Sequence, residues 1–201
     1  MSLLRRGHAR ADGRLPVQEA LGFWDVAHGR WTVDPGTYEI HAGASSADIR
    51  RTASLTVDGP PPAPRPALER GLAAADFDSA DGVSLVDLTK VRGDAVAAGA
   101  DVIGRLLFRA CDFGAGARTV TVEAARAEHP SGGGAGAAGA ATVELHLSDG
   151  TTLASVAIPP TGDPYRYTTV GADLPTPPSG VHDLHITLRG GLRLARLGFS
   201  G

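Results

Sequence analysis

Five of the seven residues from 60 to 66 are proline, within GPPPAPRPALERG (59–71). Proline has no N–H and holds φ near −65°, so a run this dense cannot enter a sheet ladder or a helix interior. It favours an extended, semi-rigid spacer. The 201 residues must therefore be organised on either side of it, and the length suits one or two domains. The expected organisation is a disordered N-terminal arm at 1–14, a small β piece at 15–58, the spacer at 59–70 and a larger β domain at 71–201.

Both flanks read as strands. In the first, FWD and RWTV bracket the turn VAHG, DPG (34–36) has the chemistry of a tight turn, and TYEIHAG alternates Tyr38, Ile40 and Ala42 against Glu39 and His41. TASLTV (52–57) supplies one more strand. So few strands cannot close a core alone, because an open sheet must bury its apolar face on something. In the second flank the runs GVSLVDL, GRLLFRACDF, RTVTVEAA, ATVELHLS, TLASVAIP, YRYTTVGADL, VHDLHITLRG and LRLARLGF are separated by turn residues, with Asp149–Gly150 marking a hairpin. Short strands at this spacing without a convincing helix predict an all-β fold: a partial sheet, then a jelly-roll β-sandwich. SGGGAGAAGAA (131–141) reads as a flexible loop.

Composition excludes several functions. The 19 basic and 22 acidic residues are dispersed, whereas a nucleic-acid surface needs clustered Lys and Arg for counterion release. No apolar run reaches the ~18 residues of a membrane span. Cys111 is the only cysteine, so no intrachain disulfide or thiolate cage can form, and a buried, inert thiol is expected. The opening arginines have no apolar stretch of signal-peptide length behind them. As written, the chain is expected in the cytoplasm, with secretion following only if it is a fragment of a longer exported enzyme.

Motifs for other chemistry are weak. The glycine run lacks the Lys-Ser/Thr that closes a phosphate loop, and no G-x-S-x-G elbow occurs. His182 and His185 stand three apart on a strand, which points them to opposite faces rather than at one metal. RGD (92–94) is short enough to arise by chance. Asp76, Asp78, Asp81, Asp87 and Asp94 sit mostly beside turn residues, which suits turn hydrogen bonds better than a glycosidase pair. Among the aromatics, Phe77, Phe108, Phe113 and Phe199 lie in apolar runs and read as core. Tyr165 directly follows the turn TGDP and suits either packing or a loop-edge platform for a sugar ring, while for Tyr167 packing is favoured.

ALGFWDVAHGRWTVDPGTYEIHAGASSADIRRTASLTV (20–57) resembles the end of the fibronectin type III-like domain that closes many family 3 glycoside hydrolases, the β-glucosidase/β-xylosidase group. In that light Trp24 and Trp31 are expected as core-packing residues of a hairpin, with part of their apolar surface under-covered. AADFD, GVSLVD, GDAV, CDFGAG, TVTVEAARA, the run from VELHLSDG through TGDPYRYTTVGADL, and GVHDLHITLRG resemble a family 6 carbohydrate-binding module across 71–201. Such modules are jelly rolls that bind polysaccharides and oligosaccharides without cleaving them, often with structural calcium. Where the resemblance calls for an aromatic after GD this chain has Ala95, and for the small residue and tryptophan after TG it has Asp163 and Pro164. The late cleft asparagine falls near Arg193, and the calcium-ligating acids fall at Ala75, Val86 and Ala195.

The resemblance thus implies a non-catalytic glycan-binding module, the C-terminal portion of a family 3-like glycoside hydrolase. Tyr165 would stand in for the tryptophan, with Asp163, Asp94 and Arg193 as hydroxyl partners. No catalytic residue and no cofactor are expected, the calcium positions having lost their ligands. The partners would be an oligosaccharide or polysaccharide and a hydrolase catalytic domain, with neither nucleic acid nor membrane. The alternative is a structural module that packs on a catalytic domain and no longer binds sugar.

Overall fold

The computed structural model describes residues 21–127 and 141–201. The expected arm at 1–14 and all but the last residue of the glycine-rich run lie outside the described residues. The chain divides into two compact units, residues 1–62 and 63–201.

In the first unit two antiparallel ribbons are described. Strands β1 (Phe23–Asp25) and β2 (Arg30–Thr32) form one, and β3 (Gly36–Ser45) and β4 (Asp48–Val57) the other. The β1–β2 turn is held by Asp25, whose Oδ1 accepts the N–H groups of Ala27 and His28 at 3.0 and 3.2 Å, while Oδ2 meets His28 Nδ1 at 2.6 Å. Trp24 lies directly opposite Trp31, edge to face at 6.0 Å. The expectation that these rings are core is corrected, and the expectation that they are under-covered holds: Trp24 is 51% and Trp31 69% exposed. No residue from 21 to 62 is buried. Among the described residues the two ribbons form no second layer over the tryptophans.

The second unit is a two-sheet sandwich. Its strands are β5 (Leu72–Ala73), β6 (Ser79–Asp81), β7 (Ser84–Thr89), β8 (Arg92–Ala97), β9 (Gly104–Asp112), β10 (Thr119–Ala125), β11 (Ala141–Leu147), β12 (Thr152–Ile158), β13 (Thr168–Asp173), β14 (Val181–Arg189) and β15 (Arg193–Ser200). One sheet runs β12-β11-β14-β9-β6, the other β13-β10-β15-β8-β7 with β5 added on β15. In β11 alternate residues are fully or nearly buried, as period-2 patterning requires. Inward residues such as Leu106, Phe108, Val120, Leu145, Leu184, Ile186 and Leu197 fill one core. Phe113 and Phe199 meet edge to face at 5.1 Å, while Phe77 is only partly buried against that core. The β11–β12 hairpin turns at Gly150, whose φ of +88° favours glycine, and Asp149 Oδ1 accepts the Thr151 N–H at 2.8 Å.

Each strand run read from the second flank is a strand here, but β5, β6 and β8 were not read. β8 holds the RGD triplet within RGDAVA, a sequence rich in weak strand formers. The proline segment also behaves differently from a simple spacer. Residues 63–70, expected within it, belong to the second unit. Arg65 exchanges backbone hydrogen bonds with Ala110 and Asp112, Ala67 is fully buried, and Ala67–Arg70 form a short helix, α1. The guanidinium of Arg65 donates to the Asp76 carbonyl at 2.7 Å and to Asp78 Oδ2 at 3.0 Å, and lies over the Phe108 ring. Proline forbids donation from its own nitrogen, but the non-proline residue between two prolines keeps both backbone groups.

Candidate functional site

The loop that enters β13 presents Tyr165. Thr161 anchors its base: Thr161 N–H donates to the Arg126 carbonyl, and Thr161 Oγ1 accepts the Arg126 N–H at 3.0 Å. Gly162 then adopts φ +75° in open space, and Asp163 Oδ1 accepts the Tyr165 N–H at 2.7 Å, an Asx turn. The result is an aromatic ring 42% exposed at the rim of the sandwich.

Arg193 reaches the same place from the first residue of β15. Its guanidinium carbon stands 4.7 Å from the Tyr165 ring centroid, a cation–π arrangement. It also donates to the Asp87 carbonyl of β7 at 3.4 Å, a long contact. Tyr167 lies close enough that the Arg193 charge opposes the upward push of burial on its hydroxyl. That hydroxyl oxygen is buried, with the Arg193 guanidinium as its polar neighbour. Burial dominates, and the Tyr167 pKa is raised.

Of the four site residues expected from sequence, the fold joins Tyr165, Asp163 and Arg193. Asp163 does so through the turn, its Oδ1 accepting a backbone N–H. Asp94 sits on β8 opposite Asp87 and is exposed. Among the described residues no hydrogen bond or ion pair ties it to the other three. Ala95, where an aromatic was looked for, is fully buried and offers no platform. The Asp87 carbonyl is signalled by no side-chain pattern, and Tyr167, for which packing is favoured from the sequence, has its hydroxyl buried beside Arg193.

Other groups serve the fold. Cys111 is fully buried, and burial pushes its thiol up to about 12. His182 meets the Ser179 carbonyl and His185 meets Ser148 Oγ, so the two rings have separate partners. Ala75, Val86 and Ala195 carry no oxygen in their side chains, whereas calcium takes six to eight oxygen ligands. These residues do not fit the ion, and among the described residues no three His, Cys, Asp or Glu side chains converge. No described helix is long and apolar enough to cross a membrane. A cleft of about 600 Å³, lined by Gly116, Arg118, Thr119, Asp173, Pro177 and Ser179 among others, opens at the far end of β13 from Tyr165.

Residues 73–200 match the carbohydrate binding module (family 6), and residues 4–46 match the fibronectin type III-like domain. Over 37 residues the chain is 51% identical to a probable beta-glucosidase D of Emericella nidulans. That stretch is 18% of this chain and 5% of the relative, so the match spans only a small fraction of the enzyme. Among solved structures, a family 6 module from Clostridium stercorarium in complex with cellobiose superposes with a TM-score of 0.57 at 23% identity, over 68% of this chain and 96% of that one. A family 6 module from Clostridium cellulolyticum in complex with xylose gives 0.53 at 22%, over 67% and 98%. At such identities the likeness is one of fold.

Proposed function

The chain belongs to the carbohydrate binding module family 6 through residues 73–200, and from that premise we propose that its sandwich binds an oligosaccharide or polysaccharide at Tyr165 without cleaving it. The observation that carries this reading is the half-exposed Tyr165 ring on an anchored loop, with Arg193 beside it. An apolar sugar face stacks on such a ring while hydroxyls and ring oxygen meet neighbouring polar groups. Both domains matched are non-catalytic modules, and we extend this to the chain: it binds and does not hydrolyse. The donor-free positions Ala75, Val86 and Ala195 support binding that needs no calcium. The short match to a beta-glucosidase supports a role beside a glycoside hydrolase catalytic domain.

Titration calorimetry of the full chain with cellobiose, xylo-oligosaccharides and β-glucan fragments tests the reading. Tyr165→Ala should weaken binding about tenfold, the magnitude of one lost aromatic stack. Unchanged affinity in that variant would move the site elsewhere. A second reading, a packing module without a sugar site, draws on the Arg193 guanidinium already resting against the ring and on the buried Ala95. Failure of every glycan to bind would select it.

A further inference from the structure

Resting on the carbohydrate-binding reading above, we propose that the sugar seated at Tyr165 carries a carboxylate, and that Arg193 is the residue that selects it. The site is one for a uronic-acid-bearing glycan over a neutral one.

Arg193 is half-buried, yet among the described residues no carboxylate stands within ion-pair distance of it. Three other arginines of the sandwich have carboxylate partners, Arg65 with Asp78, Arg105 with Asp81 and Arg189 with Glu144, while among the described residues Arg118, Arg126, Arg166 and Arg196 share the lack of one with Arg193. Arg193 has a carbonyl at 3.4 Å, the Tyr165 ring and the Tyr167 hydroxyl beside it. A guanidinium drawn partly out of water without a counter-charge is costly to hold, and an incoming anion relieves that cost. Among the described residues no surrounding carboxylate reaches ion-pair distance: Asp163 Oδ1 accepts the Tyr165 N–H, Asp87 meets Arg193 through its carbonyl, and the Glu123 charge acts on Tyr167 from β10.

The spacing suits a single sugar. In a uronic acid the carboxylate is bonded directly to a ring carbon, so it lies a few ångströms from the ring face. With the guanidinium over one face of the Tyr165 ring, its carbon 4.7 Å from the centroid, a sugar packed along the exposed side of the tyrosine can turn its carboxylate to Arg193. The planar fork of arginine then donates two N–H groups to the two carboxylate oxygens, a geometry that a neutral hydroxymethyl group cannot match. The exposed acids Asp87 and Asp94 on the neighbouring strands are left for sugar hydroxyls.

The test is calorimetric titration of the full chain with glucuronate-branched xylo-oligosaccharides and oligogalacturonides, each beside its carboxyl-reduced counterpart. The acidic ligands are expected to bind at least about tenfold more tightly, with the preference shrinking as salt is raised. Arg193→Gln should abolish the preference while leaving the circular dichroism spectrum intact, and Arg193→Lys should retain part of it. Equal affinity for acidic and reduced ligands would overturn the selectivity while leaving glycan binding at Tyr165 standing. A preference that survives in Arg193→Gln would remove Arg193 from the role. Binding of neither form would sink both this inference and the reading beneath it.

Discussion

At Ala110 the backbone turns to φ +48°, a left-handed conformation that costs an L-residue roughly 1–2 kcal/mol. The cause is local: β9 carries two residues, Arg109 and Ala110, where β14 has Asp183 alone. The amide of Ala110 leaves the ladder, and Asp183 Oδ1 accepts it at 2.8 Å. Asp183 was visible in the sequence only as part of VHDL; its duty depends on a bulge that residue types do not announce. Asp76 is a second case. Burial raises its pKa above 3.8, against the opposing charges of Arg65 and Arg196, with Asp94 adding to the rise. The folded protein therefore holds this proton more tightly than the unfolded chain. Its contribution to stability is present below pH 3.8 and is lost as pH rises through the folded value. Asp76→Asn should be more stable than the parent near neutral pH, the gap closing in acid. Urea denaturation at a series of pH values reads this directly, and a gap that widens in acid would contradict it.

The elements that matter for function are loops set by sheet ends. The Asp163 turn predicts its own test, because a turn acceptor and a sugar partner respond differently to substitution. Asp163→Asn keeps an oxygen for the Tyr165 N–H and should keep glycan affinity. Asp163→Ala loses the hydrogen bond, worth about 1 kcal/mol, and should weaken binding several-fold by freeing the Tyr165 ring. Were Asn as damaging as Ala in titrations, the carboxylate itself would be the ligand contact. The turn was legible in TGDPY, since glycine and aspartate announce it through their own backbone preferences. The pairing of Tyr165 with Arg193 was legible only through the family resemblance, because it joins the entry of β13 to the entry of β15 across the sheet order β13-β10-β15.

Across the whole chain, the two units differ in what they bury. The second has a continuous core, while residues 21–62 have no buried side chain. Both tryptophans belong to the first unit. Acrylamide should therefore quench their emission nearly as fully as that of free indole. On heating, tryptophan emission should fail to follow the main transition seen by far-ultraviolet circular dichroism. A single coincident transition in both signals, with weak quenching, would show that the first unit is covered and coupled to the second.

Sequence alone determined most of the strands and their turns, from ATVELHLS to the Asp149–Gly150 hairpin but not β5, β6 and β8, because period-2 burial and turn chemistry are properties of neighbouring residues. It also determined the family, whose signatures are short runs such as CDFGAG and GVHDL. Only the tertiary structure decided how far Trp24 and Trp31 are uncovered, that Arg65 and Ala67 leave the proline run to join the sandwich, and that Arg193 lies over the Tyr165 ring with no described carboxylate at ion-pair distance. Burial and electrostatic partnership belong to what lies opposite a residue in space, and for these residues that neighbour is remote in the chain.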